Sequence, residues 1–369
     1  MHERQIRVVV SDFHLGTGSQ RGSFNPYEDF HEDERFAEFL EYHTTGEFED
    51  AHVELVLNGD IFDLLKVRVG GIWPDAITET IAVDKVKQVL RGHPAFFDAL
   101  HAFLRRGRTN ITYVPGNHDI ELMLPGPQEA LADRIAGEGE RHRVQFVTRG
   151  ESYHLPEGIQ IRHGHQWEAI HRFDYRRLTV SRSGREPVIN LPWGSLFVLK
   201  VLNPAKMERY LVDHIVPLKR LMFAGVFLDF RFTMKMLFRT AYHFVRTRFS
   251  PHGNIFRRFV DTLRIIRDEV SPLADFDRLA MRTLRRTQGV HTLITGHSHL
   301  PRCRVLENGK LYINTGSWVR VLNLDLAHLG QDSGLTYAVV ESVAGRAPLT
   351  TLNRWYGSHK LTRTLEYQG

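Results

Sequence analysis

The sequence holds a single cysteine, Cys303, which excludes an internal disulfide framework and suits a reducing compartment. Long apolar runs are missing too. Pro187–Leu199 and Leu221–Leu228 are the longest, well short of the roughly 18–20 residues a spanning helix requires, so no transmembrane helix is expected. The opening residues, MHERQIRVVV, lack the succession of basic, apolar and small residues of a secretory leader, and none is expected. No internal repeat and no low-complexity tract interrupts the chain. What is present is 369 residues, 42% hydrophobic and 25% charged. That is an ordinary folded composition, long enough for one large domain with an insertion or for two domains.

The net charge of +5 conceals an uneven distribution. Residues 170–290 carry 23 Lys and Arg against 10 Asp and Glu, so the rest of the chain is net acidic. Such an excess implies an anionic partner for that region: lipid headgroups, a phosphorylated substrate or nucleic acid.

Ile6–Ser11 (IRVVVS) is β-branched with little polar alternation, the pattern of a strand buried on both faces. Asp33–Tyr42 places Phe36, Phe39 and Leu40 at helical spacing. Val53–Leu57 reads as a second buried strand, Ala82–Leu104 as one helix, and Ile111–Val114 as a third strand. Further strands are expected at Ile159–Arg162, Val290–Ile294, Leu311–Asn314 and Thr336–Val340, with a hairpin turn at Glu307-Asn308-Gly309. Between about 166 and 288 strand signals vanish, and apolar-basic stretches at helical spacing take over in 206–247 and 254–286. A helical insertion between two parts of an α/β core is expected.

Five polar clusters each close an expected strand: Asp12-Phe13-His14, Gly59-Asp60-Ile61-Phe62-Asp63, Gly116-Asn117-His118-Asp119, His163-Gly164-His165 and Gly296-His297-Ser298-His299. In layered α/β sheets, sites gather beyond the carboxyl ends of strands, so clusters distant in sequence can converge there. Asp, His and Asn suit Mn, Fe or Zn. Taken singly, Asp12 is an ordinary turn residue, Asp119 an ordinary turn or helix cap, and each histidine an ordinary surface or hydrogen-bonded side chain. The ordered set is what points to a metal site.

These blocks resemble the calcineurin-like metallophosphoesterases, whose pattern runs DxH, GDxxD, GNH[DE], a separate His, then GHxH. Every block is present here, in that order. The resemblance implies a four-layer α/β/β/α sandwich formed by residues 1–165 and 288–369, with 166–287 inserted as a helical lid. It implies two divalent cations, Mn by family habit with Fe and Zn equally suited. One would be held by Asp12, His14, Asp60 and His299, the other by Asp60, Asn117, His163 and His297, with Asp60 bridging them. His118 would stabilise or protonate the leaving oxygen, and Asp63 would orient it. In His163-Gly164-His165 either imidazole could be the ligand, and the strand-closing His163 is favoured.

Within the family the layout is most similar to the UDP-2,3-diacylglucosamine diphosphatase group, cytoplasmic enzymes peripheral to the inner face of the cell membrane that release UMP from a diacylated sugar nucleotide. Two features depart from it: Arg commonly stands where this chain has His118, and this chain is longer. In the insertion, Leu196–Leu199, Tyr210-Leu211, Leu221–Phe223 and Phe227-Leu228 alternate with Lys200, Lys206, Arg209, Lys219, Arg220, Arg231, Lys235 and Arg239. That combination suits an anionic membrane surface or a lid for acyl chains. It is equally the composition of a plain helical subdomain with a solvated basic face. A nuclease would welcome the same charge, but aliphatics interleave with the basic residues as much as aromatics do, which favours lipid over stacked bases. A nucleotide or protein phosphatase, and a scaffold with a vestigial metal site, complete the alternatives. No substrate-binding residue can be named from the sequence.

Overall fold

The β-branched run near the N-terminus forms the centre of the molecule because both its faces are covered. In the computed structural model, which describes residues 4–19, 23–181, 186–216, 218–248, 276–320, 322–323, 334–358 and 363–364, Val8 and Val10 point to one side and Val9 to the other. That is the period-two alternation of a strand. The strands follow along the chain as β1 (Arg4–Val10), β2 (His52–Asn58), β3 (Thr109–Val114), β4 (Val144–Phe146), β5 (Tyr153–Leu155), β6 (Ile159–Ile161), β7 (Thr179–Val180), β8 (Val188–Ile189), β9 (Ile215–Val216), β10 (Thr292–Thr295), β11 (Arg302–Val305), β12 (Leu311–Asn314), β13 (Leu322–Asn323), β14 (Thr336–Val343), β15 (Leu349–Arg354) and β16 (Arg363–Thr364).

Two sheets carry the fold. One runs β16-β15-β14-β1-β2-β3-β4 and the other β11-β12-β10-β6-β5. Strands β1, β2, β3 and β4 are mutually parallel, as are β6, β10 and β12. The sheets meet through Val9, Val56, Val114 and Ala338 on one side and Ile161, Ile294 and Ile313 on the other. The outer face of the larger sheet is covered by four helices: α1 (Asp33–Tyr42), α2 (Glu79–Gly92), α3 (Pro94–Arg105) and α4 (Pro125–Ile135). A helix at Phe276–Arg286 lays Ala280 and Leu284 on the outer face of the smaller sheet. The layers are therefore α/β/β/α.

The expected single helix over Ala82–Leu104 is two helices. Gly92 and His93 end the first, and Pro94, whose fixed φ suits a first helical turn, opens the second. The hairpin turn is present between β11 and β12, with Gly309 at φ 75°. Strands do not vanish wholly between 166 and 288: β7 pairs with β8, and β9 with β13. From residue 193 on, the described part of that segment is mainly helical, with α5 (Trp193–Phe197), α6 (Asn203–Lys206), α7 (Leu218–Leu228) and α8 (Phe230–Arg248). Residues 249–275, which hold much of the second expected apolar-basic stretch, lie outside the described residues. No helix among the described residues is long and apolar enough to cross a membrane.

His93, at the α2–α3 break, places Nδ1 3.0 Å from Asp33 Oδ1 and Nε2 3.1 Å from Glu28 Oε2. Burial alone would lower its pKa, but the two carboxylates outweigh burial and raise it to about 9. A histidine with a raised folded pKa contributes stability that is complete below its unfolded value of about 6.5 and is lost as pH rises through the folded value. His93→Gln should therefore be less stable than the unaltered chain by on the order of 3 kcal/mol near pH 6, and the gap should narrow towards about pH 9.5. Denaturant melts across that range check this; a gap independent of pH would refute it.

Candidate metal centre

The chain turns sharply where each parallel strand ends, and at those turns the five clusters meet. Asp12 follows β1, Asp60 follows β2, Asn117 follows β3, His163 follows β6 and His297 follows β10. Phe13 lies buried between Asp12 and His14 and stacks on Trp318, with ring centroids 4.8 Å apart. Ile61 and Phe62 are buried in the same way between Asp60 and Asp63. Apolar residues thus anchor each loop while the alternate polar residues are turned into the site. The loops are also stitched to one another: His14 N donates to Asp60 O at 2.9 Å and Asp63 N to Leu15 O at 2.9 Å.

The backbone is strained at the same places. Six non-glycine residues among those described have positive φ, and five of them are Asp12, His14, Asp60, His297 and His299, at 51–71°. Asp and His tolerate this region better than most residues, yet each such position costs about 1–3 kcal/mol and persists only where the surroundings impose it. Glycines, Gly59 and Gly296 among them, make room for the turns. A Cβ on Gly59, itself at φ 78°, would collide with the His163 ring, and one on Gly296 would collide with the Asp12 carboxylate.

Two groups of possible ligand atoms form here, Asp12 with His14 and His299, and Asp60 with His163 and His297, and two more overlap them, His14 with Asp60 and His118, and Glu168 with His171 and His297. In the first, His299 Nε2 lies 3.3 Å from Asp12 Oδ1 and His14 Nε2 3.9 Å from both Asp12 Oδ1 and Asp60 Oδ2. The Nε2 atoms of His14 and His299 are 3.0 Å apart, and two lone pairs facing each other at that distance call for a proton or a cation between them. In the second, His163 Nε2 lies 3.1 Å from Asp60 Oδ2. Asn117 Oδ1 is buried with no hydrogen-bond partner among the described residues, a costly state for an amide oxygen unless something else satisfies it. Carboxylate, imidazole and amide donors converging in this way fit a pair of divalent cations.

Burial alone would raise the Asp12 and Asp60 pKa values, but neighbouring histidines hold both carboxyls low, His299 and His163 acting on Asp12 and His163 and His118 on Asp60. His118 offers a ligand atom only to the group it shares with His14 and Asp60. Its Nδ1 lies 2.9 Å from Asp63 Oδ1, and its backbone N donates to Asp60 Oδ1 at 2.8 Å. Burial would lower its pKa, but Asp63 and Asp60 outweigh that and raise it to about 9. His165 places Nε2 2.8 Å from the Tyr175 hydroxyl, and its buried Nδ1 has no hydrogen-bond partner among the described residues. Asp119 takes no part in either ligand group. Its carboxylate accepts from the Gly116 and Ile61 amides at 2.6 and 2.8 Å and from the Tyr113 hydroxyl at 2.5 Å, which fixes the loop after β3.

Sequence reasoning missed two participants, Lys66 and Glu168, and one of the two contacts of Asp63. Asp63 serves two imidazoles rather than one, since Oδ2 lies 3.3 Å from His14 Nδ1. Lys66 approaches Asp63 at 2.8 Å. Glu168 Oε2 lies 2.9 Å from His297 Nε2 and 3.6 Å from His171 Nε2. Neither Lys66 nor Glu168 belongs to a strand-closing block, so no spacing in the sequence marks them.

No family model matches the sequence, and no curated protein matches it. Solved structures align over most of the chain, these three among them. A dimetal phosphatase from Danio rerio is 12% identical with a TM-score of 0.34, covering 94% of this chain and 98% of that one. A 5'-nucleotidase precursor from Thermus thermophilus is 13% identical with a TM-score of 0.34, covering 95% and 54%. A 5'-nucleotidase from Candida albicans is 11% identical with a TM-score of 0.26, covering 93% and 51%. This chain spans about half the length of the two nucleotidases. Likenesses so distant leave the chemistry to be read from the residues themselves.

An Nε2–H donated to Glu168 leaves His297 Nδ1 as the nitrogen with a free lone pair, the arrangement by which an outer carboxylate fixes a ligand's tautomer. Glu168→Ala should weaken binding of one of two Mn ions about 10–100-fold and leave the other unchanged, read by chelator competition followed by metal analysis. Two unaltered affinities would show that Glu168 plays no such part.

Proposed function

We propose that the chain is a dinuclear metal-dependent phosphoester or diphosphate hydrolase. Residues 1–165 and 288–369 form the catalytic core, and 166–287 form a cap over a phosphorylated, lipid-linked substrate at an anionic membrane surface. One observation carries the hydrolase reading: Asp12, His14, Asp60, His297 and His299, five strained non-glycine positions among the six described, all face one another at the ends of parallel strands.

Asp12, His14, Asp60 and His299 would hold one cation and Asp60, Asn117, His163 and His297 the other, Mn being the working choice and Fe or Zn suiting the same donors. Two such ions supply an acidified water as nucleophile and neutralise charge on the phosphoryl oxygens. The protein supplies the rest. His118, with Nδ1 held by Asp63, presents its other nitrogen to the leaving oxygen and can donate a proton there. The Asp63 carboxylate, buried with Lys66 beside it, stabilises the charged imidazole.

The lipid part of the reading is supported by the insertion's surface. Phe230, Leu237, Phe238, Tyr242 and Val245 recur at helical spacing along α8 and are 45–75% exposed, and Phe223, Phe227 and Leu228 of α7 are 72–86% exposed. Arg231, Lys235 and Arg246 are exposed on α8 as well. Contiguous apolar surface of this kind marks an interaction site, and apolar helix faces flanked by basic residues suit an anionic bilayer.

Asp60→Ala should abolish turnover and cost at least one metal ion. His118→Gln should keep both metals and lose about 100–10,000-fold in rate; loss of metal instead would make His118 a ligand. With Mn and mild detergent, UDP-2,3-diacylglucosamine should release UMP. Turnover of bis-p-nitrophenyl phosphate alone would retain the hydrolase and turn the substrate search to nucleic acids and nucleotides. Replacing Phe223, Phe227 and Phe238 together by Ser should reduce flotation with phosphatidylglycerol vesicles at least about tenfold; undiminished flotation would rule this surface out as the membrane contact.

A further inference from the structure

Asp29, Asp213 and His214 form a further cluster of possible ligand atoms away from the strand ends, but two ammonium groups already occupy it. Lys66 Nζ lies 2.8 Å from Asp213 Oδ2 and 2.8 Å from Asp63 Oδ2, and it also contacts Asp29. Lys206 Nζ lies 2.9 Å from Asp29 Oδ1 and 2.6 Å from Asp213 Oδ1. His214 Nε2 adds a contact of 2.8 Å to Asp29 Oδ1. Lys66, Lys206 and Asp63 are all buried. Charges this deeply placed are tolerated only when well paired, and removing one partner of a buried pair is costly. The cluster is an ion-pair network, and its position gives it a use.

The network spans two parts of the molecule. Lys66 and Asp63 belong to the loop after β2 that also carries Asp60, whereas Lys206, Asp213 and His214 belong to the insertion. The same short turn, Leu64–Lys66, is the insertion's seat. Leu65 packs among Val198, Leu199, Val201 and Leu202, and its carbonyl accepts from Asn203 Nδ2 at 2.9 Å. Leu64 N donates to His118 O at 3.1 Å. One turn of chain therefore touches the insertion's core on one side and the backbone and imidazole partner of His118 on the other.

We infer that Lys66 is a positioning residue whose ammonium, shared between Asp63 and the insertion's Asp213, locks the Asp63 carboxylate and so couples the seating of the insertion to the orientation of His118 and His14. This rests on the proposed hydrolase reading of the site. With Lys66 in place, Asp63 has one oxygen for each imidazole, Oδ1 for His118 Nδ1 and Oδ2 for His14 Nδ1. Without the Asp213 contact, Lys66 is free to follow Asp29 and Asp63 alone, and Asp63 loses a fixed counter-charge. The residue acts through Asp63 and touches neither substrate nor metal.

The test compares the full-length chain with Lys66→Gln, Lys66→Arg and Asp213→Asn. Metal content, kcat and KM on bis-p-nitrophenyl phosphate, and hydrogen exchange over 203–214 are measured for each. Lys66→Gln should keep two metal ions, lose at least about tenfold in kcat with KM nearly unchanged, and exchange faster over 203–214. Lys66→Arg should regain most of the lost kcat. Asp213→Asn, remote from the metal groups, should show the same signature at smaller size and keeps the inference testable if Lys66→Gln does not fold. Unchanged kcat in Asp213→Asn together with faster exchange would overturn the coupling. Loss of metal from Asp213→Asn or Lys66→Arg would overturn the positioning role. A full-length chain that turns over no phosphoester would fail the hydrolase reading, whereas the exchange measurement still reads whether Lys66 seats the insertion.

Discussion

Asp60 sits at φ 52° with its carboxylate buried, and the two sheets and three loops are tied to it. Its backbone carbonyl accepts from His14 N, its Oδ1 from His118 N, and its Oδ2 faces His163 Nε2 from the other sheet at 3.1 Å. Asp60 thereby adds a polar tie to the apolar layer through which the larger sheet meets the smaller one. Coulomb attraction to the surrounding imidazoles offsets the cost of burying that charge, and a cation on each side would offset it further. Asp60 is the position at which the backbone strain, the buried charge and the meeting of the sheets coincide.

Strain at five polar turns requires a rigid setting, and the aromatic core supplies it. Phe13 packs between Trp318 and Phe36, and Phe36 stacks on Phe96 at 4.2 Å. Side chains so interlocked have little freedom to relax, so the loop that holds Asp12 and His14 cannot straighten without opening the core. The Asp119 carboxylate does the same for the loop after β3 by taking two backbone amides and a tyrosine hydroxyl. The insertion adds a second constraint from above, because it rests on the turn that follows Asp63. The geometry of the polar cluster depends on packing at a distance from it as much as on the clustered residues.

Much of the core was legible in the residues. β-branched runs marked the central strands because burial on both faces leaves no polar alternation, and the polar clusters stood out because they close those runs. The α2–α3 break was also written in the sequence, at Pro94, yet the apolar spacing on either side of it read as one helix. Short edge strands such as β4 and β5 carry too few residues for a period to show. The left-handed backbone at His14 and His299 had no signal at all, since only glycine announces such a turn reliably. Lys66, Glu168 and Asp213 were hidden for a different reason: each acts through a contact with a residue at least three positions away, and most of those contacts cross from the insertion to the core.

Crystals grown with Mn and measured at the manganese absorption edge test the central claim most directly. The account predicts two anomalous peaks about 3.5–4 Å apart, with Asp60 between them, Asn117 and His163 on one and His14 and His299 on the other. A single peak, or two peaks of which neither touches Asp60, would contradict it.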